Sequence, residues 1–82
     1  MAKILYFGKL TDIIGTSVET LDLPNTVNGT AQLRQWLDLN NGGTGALLEE
    51  TVRIAINNEL AHEPAPISNT DEIAFMPPVG GG

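Results

Sequence analysis

The chain has 82 residues, enough for one small domain that buries only about 60% of the surface its unfolded chain exposes. It has no cysteine and a single histidine, His62, which excludes disulfides, thiolate catalysis and a metal cluster built from these residue types. Ten acidic residues against four basic ones give a formal net charge of -6, which argues against nucleic-acid binding and favours a basic protein partner or solubility alone.

A first strand is predicted close to the amino terminus. Ile4 and Tyr6 alternate with Lys3, Leu5 and Phe7, the period of two that is typical of a strand with one buried face. If Lys3 faces water, then Leu5 and Phe7 face it too. The apolar run over residues 4–7 is too short for a signal peptide or a membrane span, so we expect a soluble, cytoplasmic protein.

A short helix and a second strand follow. Residues 10–14 can form a helix that ends at Gly15, and residues 17–23 resume the alternating pattern of a strand. We therefore expect the two strands to form a hairpin.

The sequence predicts one long amphipathic helix. Asn28 or Thr30 can cap its start, and the Asn-Asn-Gly-Gly segment at residues 40–43 ends it. Its apolar residues recur at spacings of three and four and are Leu33, Trp36 and Leu37. We interpret Trp36 as a core residue, because an aromatic ring supplies the large apolar area that so small a core needs.

The last part of the chain predicts further strands. Residues 52–56 alternate before a tight turn at Asn57 and Asn58, and residues 73–76 alternate after a turn at residues 68–70. Pro64 and Pro66 indicate an irregular or weak edge strand between them. The predicted fold class is α+β, a mixed sheet whose apolar face is covered by the one long helix, with a domain over residues 1–76 and a flexible tail over residues 77–82.

No catalytic set of side chains is recognisable in the predicted domain. The glycine-rich loop over residues 42–45 lacks the residues of a phosphate-binding motif. Asp71 and Glu72 are interpreted as a solvated turn, and His62 as a surface residue. The strand patterns that bury Tyr6 and Phe75 place Phe7 and Met76 on the opposite, exposed face. Leu60, just past the Asn57–Asn58 turn, joins them in a predicted partner-binding surface of Phe7, Leu60 and Met76.

Residues 67–82, ISNTDEIAFMPPVGGG, resemble the turn, last strand, double proline, valine and terminal glycines of the molybdopterin synthase small-subunit family, which belongs to the ubiquitin-like β-grasp sulfur carriers. Weaker resemblance covers residues 3–8, 33–35 and 55–60. Thr70 departs from the family, in which a glycine occupies this turn, so either the turn differs or Asn69 adopts the left-handed conformation.

The resemblance implies a function for the carboxyl terminus. In this family an ATP-dependent activating enzyme converts the last glycine, here Gly82, to an acyl-adenylate and then to a thiocarboxylate. This group gives sulfur to a pterin precursor on a larger catalytic subunit, with which the small subunit forms a heterotetramer. The chain would then be no enzyme by itself and would bind no cofactor, because ATP belongs to the activating enzyme.

The tail residues fit this role physically. Pro77 and Pro78 stiffen its root, and glycine, which lacks Cβ, suits a chain that enters a narrow channel. The remaining tail residues are Val79, Gly80, Gly81 and Gly82. From Pro77 onward the tail reaches about 20 Å when extended. A thiamine-pathway sulfur carrier, a protein modifier joined to lysines, and an interaction domain with an idle tail stay open as alternatives.

Overall fold

The computed structural model describes residues 1–78, so the predictions for Val79, Gly80, Gly81 and Gly82 lie outside the described residues. Its elements, in chain order, are β1 (Ala2–Tyr6), α1 (Lys9–Ile14), β2 (Val18–Leu21), α2 (Thr30–Asn40), a 3-10 turn (Ala46–Leu48), β3 (Arg53–Ile56), β4 (Glu59–Leu60) and β5 (Glu72–Met76). Within residues 1–78, no helix has the length and apolar character needed to cross a membrane.

The strands form one mixed sheet in the order β2-β1-β5-β3-β4. The central strands β1 and β5 are parallel, although they come from opposite ends of the chain, and the other neighbouring strands are antiparallel. The predicted hairpin of β1 and β2 is confirmed. The first and last strands therefore end side by side, which places the segment after β5 next to the segment after β1.

The core lies on one face of the sheet, beneath α2. Ile4, Ile54, Ile73 and Phe75 are fully buried on this face, and Leu33 of α2 packs against it. Tyr6 stacks on Phe75 with 5.9 Å between ring centroids. The Tyr6 hydroxyl donates a 2.7 Å hydrogen bond to Glu19. Burial is the larger cause and this bond the smaller cause that raise the pKa of Tyr6 above its ordinary value. The predicted buried faces of β1 and β5 are confirmed.

The start of α2 differs from the prediction. The residue at the N-cap is Gly29, and neither Asn28 nor Thr30 makes a side-chain capping bond. Thr30 is instead the first helical residue and is buried: its amide donates to the carbonyl of Ala65 at 2.9 Å, and its hydroxyl accepts from the Ala65 amide at 3.1 Å. The helix therefore begins where a distant backbone segment satisfies its first groups, which sequence proximity could not indicate.

The prediction for Trp36 is only partly right. The buried side chains of α2 are those of Thr30, Leu33, Leu37 and Asp38, whereas Trp36 is half-buried and packs against the margin of the core. Trp36 lies beside the buried stripe, because a stripe that passes through residues 30, 33 and 37 leaves position 36 at its flank. The core is filled chiefly by aliphatic side chains and the Tyr6–Phe75 pair.

The two predicted turns and the weak strand have different outcomes in the structure. The Asn57–Asn58 turn is confirmed, since both residues have positive φ, 51° and 70°, as a tight hairpin requires. The weak strand, however, is β4 directly after that turn, whereas Pro66 forms only an isolated bridge with Gly29. In the turn that contains Thr70, Asn69 has no positive φ, so the left-handed alternative for Asn69 is wrong; the Asp71 amide donates to the Ser68 carbonyl at 3.1 Å.

Candidate functional site

The outer face of the sheet carries two of the three predicted partner-binding residues side by side. Phe7 and Met76 each follow the register pair of Tyr6 and Phe75 by one residue, so they lie next to each other where β1 and β5 end. The Phe7 amide donates to the Phe75 carbonyl at 3.1 Å and extends the parallel ladder by one bond. Phe7 is 48% exposed and Met76 is half-buried. The predicted outward orientation of Phe7 is confirmed.

A row of apolar residues crosses the whole sheet next to this pair. Strand register joins its members as direct neighbours, and they are Val18, Leu5, Ala74, Ala55 and Leu60. Leu60 is 50% exposed, whereas Ala55 is buried and Ala74 is half-buried. We call this row together with Phe7 and Met76 the outer apolar band. Such a band on a small domain is typical of a partner-binding surface.

The structure places Leu60 on the same face as Phe7 and Met76 but at some distance from them. Leu60 belongs to β4, and β3 lies between β4 and the strand that carries Met76. Ala74 and Ala55 connect the two parts, and the sequence analysis did not select them. The strand periodicity that placed Met76 outside applies equally to Ala74, so this signal was present in the sequence, whereas the pairing of Ala74 with Ala55 was not.

Charged residues border the outer apolar band. On one side, Lys3 pairs with Glu72 across β1 and β5. On the other side, Arg53 pairs with Met76 across β3 and β5 and is exposed. An apolar centre with a polar rim is the usual arrangement of a protein–protein interface.

The root of the tail leaves the sheet at the edge of this band. Pro77 is half-buried beside Gly8, and Pro78 is exposed. A shallow groove follows the root and is lined by Glu50, Thr51, Arg53, Met76, Pro77 and Pro78. The roles predicted for Gly82, Gly81, Gly80 and Val79, and the division into residues 1–76 and 77–82, stay predictions.

Two carboxylates of the described chain accept hydrogen bonds from backbone amides and have structural roles. The buried Asp38 carboxylate accepts hydrogen bonds from the Gly45 amide at 3.0 and 3.1 Å. This amide of the glycine-rich loop is therefore bonded to a carboxylate of the chain itself. The Asp71 carboxylate accepts from the Ser68 amide at 2.8 Å and thereby closes the turn before β5. Residues 1–78 contain no group of three side chains suited to hold a metal ion.

One ion pair stands out for its geometry. Arg34 of α2 donates to both carboxylate oxygens of Glu63, at 2.9 and 2.6 Å, and these bonds lower the pKa of Glu63 below its ordinary value. The same guanidinium donates to the backbone carbonyls of Leu47 and Val52 at 2.9 and 2.6 Å. Arg34 therefore ties the helix to two loops and has a structural role.

Known proteins resemble this chain over its whole length in sequence and in fold. The chain is 33% identical to the molybdopterin synthase sulfur carrier subunit of Escherichia coli strain K12, over 100% of both chains. A solved complex of subunits 1 and 2 of the molybdopterin-converting factor of Helicobacter pylori contains a chain with 26% identity and a TM-score of 0.66, with coverage of 99% and 97%.

A third comparison concerns the fold. The crystal structure of SAMP1 from Haloferax volcanii matches with a TM-score of 0.79, 18% identity and coverage of 99% of this chain and 98% of that chain. This likeness confirms the predicted α+β fold of the ubiquitin-like β-grasp type, a mixed sheet packed on one main helix. The ThiS family model matches residues 4–82. Together with the full-length relationship to the Escherichia coli subunit, this match shows that the chain belongs to the ThiS family.

Proposed function

We propose that this chain is the sulfur carrier subunit of a molybdopterin synthase and that the carboxyl group of Gly82 carries the sulfur. The observation that supports this most is the full-length relationship to a curated sulfur carrier subunit of that enzyme, at 33% identity. The arrangement of the described residues agrees with it, because an outer apolar band for docking lies directly beside the root of a proline-stiffened, glycine-ended tail.

The proposed chemistry needs an external activating enzyme. A free α-carboxyl has a pKa of roughly 3.3 to 3.7, so at neutral pH it is an anion that resists nucleophiles. A carboxylate oxygen of Gly82 attacks the α-phosphorus of ATP and releases pyrophosphate. A hydrosulfide ion, HS⁻, then attacks the acyl carbon and displaces AMP, which leaves a thiocarboxylate and one proton. The chain supplies the reacting atom and no catalytic side chain, binds no cofactor itself, and is a non-catalytic subunit.

The proposed partner is the large catalytic subunit, which holds the pterin precursor. The related Helicobacter pylori protein was solved as a complex of subunits 1 and 2 of its converting factor. We propose that Phe7, Leu60 and Met76 contact the corresponding partner here. The ATP-dependent activating enzyme is the second proposed partner, because it must reach the same tail.

A reconstituted assay tests this function. The chain is incubated with activating enzyme, ATP, a sulfur source, the large subunit and the pterin precursor, and its intact mass is followed over time. We expect one oxygen to be exchanged for sulfur, and this mass change to reverse as dithiolene product forms. A chain that never gains the sulfur, or that gains it and then forms only lysine conjugates, would contradict the proposal.

A further inference from the structure

We propose that Gly8 is a positioning residue for the tail. Pro77 packs against the α-carbon of Gly8, which carries no side chain, and this contact sets the direction in which the tail leaves the sheet. The inference rests on the proposed function, since the direction of the tail matters only if its end reacts. Gly8 carries no reacting group and acts through Pro77.

The contact between Gly8 and Pro77 leaves no room for a side chain. A Cβ built on Gly8 would lie 2.9 Å from Cγ of Pro77. Ordinary carbon contacts lie at roughly 3.5 to 4.0 Å, so an alanine at position 8 would push the proline ring back by roughly 0.6 to 1.1 Å. Gly8 also has φ 55° and ψ -136°, a conformation that glycine adopts far more readily than other residues.

The turn that holds Gly8 is fixed on both sides. The Leu10 amide donates to the carbonyl of Phe7 at 3.1 Å, and the Thr11 amide donates to the carbonyl of Gly8 at 3.1 Å. The Thr11 hydroxyl donates to the carbonyl of Tyr6 at 3.0 Å. The α-carbon of Gly8 therefore belongs to a turn that three hydrogen bonds hold in place.

The backbone of β5 leaves β1 at the same point. The parallel ladder continues to the bond from the Phe7 amide to the Phe75 carbonyl, and its next bond would need an amide at position 77. Proline has no such donor, and the Phe7 carbonyl accepts from Leu10 instead. Because no hydrogen bond to β1 guides the chain at Pro77, its packing on Gly8 is the contact that sets its path on the β1 side.

The contact between Gly8 and Pro77 also connects the tail with the proposed docking surface. Gly8 directly follows Phe7, and Pro77 directly follows Met76, so each half of the contact adjoins one residue of the outer apolar band. Docking through Phe7 and Met76 would thus place the partner in a fixed relation to the root of the tail. A change at Gly8 should leave docking intact and misdirect the end of the tail.

The experiment compares four variants of the full chain with the wild type in the reconstituted system. They are Gly8→Ala, Pro77→Ala, the double variant and Gly43→Ala. Gly43 is the matched control, since its φ is +64° and nothing lies within 4 Å of the Cβ it would carry. For each chain, affinity for the large subunit is measured separately from the single-turnover rate of sulfur transfer at saturating large subunit.

We expect Gly8→Ala to bind the large subunit within about twofold of the wild type and to transfer sulfur at least about tenfold more slowly, because small misplacements of a reacting group are costly. Gly43→Ala should transfer normally. In the double variant the two losses should not multiply, because alanine at position 77 has no Cγ to meet the new methyl group.

Two results would overturn the inference. They are transfer by Gly8→Ala at the rate of Gly43→Ala when the large subunit is saturating, and effects of the two substitutions that multiply. If Gly8→Ala does not fold, Pro77→Ala decides alone: it must slow transfer without loss of affinity, and normal transfer would overturn the inference. Failure of the wild-type chain to form a thiocarboxylate would overturn the proposed function instead, so the two failures are distinguishable.

Discussion

Arg34 and Glu63 form a two-point ion pair in which Nε and Nη2 of the guanidinium donate to the two carboxylate oxygens at 2.9 and 2.6 Å. The side chains are only 12% and 25% exposed, and the guanidinium also lies 5.9 Å from the centre of the Phe75 ring. The pair therefore joins α2, the loop before Pro64 and the core aromatic pair at one point.

We predict that Glu63→Gln lowers the free energy of unfolding by about 1 to 2 kcal/mol at neutral pH. The pKa of Glu63 is lowered in the folded state from its ordinary value of 4.5, so its contribution is fully present above that value and is lost as the pH falls through the lower, folded-state pKa. Denaturant unfolding from pH 7 to pH 3 measures this. The stability difference between wild type and variant should shrink in acid, and a constant difference would contradict the assignment.

We predict that Arg34→Met lowers the free energy of unfolding by more, about 3 kcal/mol. This substitution leaves the Leu47 and Val52 carbonyls and the Glu63 carboxylate without their donor. Chemical denaturation at neutral pH measures it beside Glu63→Gln. Equal losses for the two variants would mean that the carbonyl bonds contribute little.

Phe7→Glu should weaken binding to the large subunit at least about tenfold and change the free energy of unfolding by no more than about 0.5 kcal/mol, as is usual for exposed sites. Leu60→Glu should have a smaller effect on binding, because Leu60 lies across β3 from Met76. Isothermal titration with the large subunit measures both. Leu39→Glu is the control, since Leu39 is 77% exposed and belongs to the helix on the other side of the sheet. Unfolding of Phe7→Glu would show that Phe7 belongs to the core.

Trp36→Ala should lower the free energy of unfolding by about 1 to 3 kcal/mol. This is below the roughly 3–5 kcal/mol typical of a fully buried aromatic residue, because Trp36 is only half-buried. Phe75→Ala is the contrasting variant. Phe75 is 0% exposed and stacks on Tyr6, so its loss should reach the upper range. Thermal unfolding of both variants gives the comparison, and a larger loss at Trp36 than at Phe75 would contradict this order.

Deletion of Gly82, or addition of one residue after it, should abolish sulfur transfer and leave folding intact. One residue shifts the end of an extended chain by about 3.3 to 3.6 Å, and far smaller misplacements already cost about a hundredfold in rate. Gly81→Ala should slow sulfur transfer less than the deletion does, because the carboxyl group keeps its position along the chain. The reconstituted assay and the intact mass of the chain measure these effects. A chain without Gly82 that still supports dithiolene formation would end the sulfur carrier proposal.

The sequence by itself determined most elements of this fold and the outward position of Phe7. Periods of two in residues 3–7 and 73–76 and the three-four spacing of Leu33 and Leu37 follow from backbone geometry, which each segment expresses locally. The Asn57–Asn58 turn is local in the same way, since both residues tolerate positive φ. The ending MPPVGGG and its resemblance led to the sulfur carrier hypothesis without any tertiary information.

Only the tertiary structure decided which elements that are distant in sequence meet. The parallel pairing of β1 with β5 brings Phe7 beside Met76, and the pairing of β3 with β5 joins Ala55 to Ala74, although long stretches of chain separate these residues. The start of α2 at Thr30 and the contact of Gly8 with Pro77 likewise depend on partners that are distant in sequence. Such contacts arise because separate segments bury apolar area and satisfy backbone groups together, and no local pattern encodes which partner will do so.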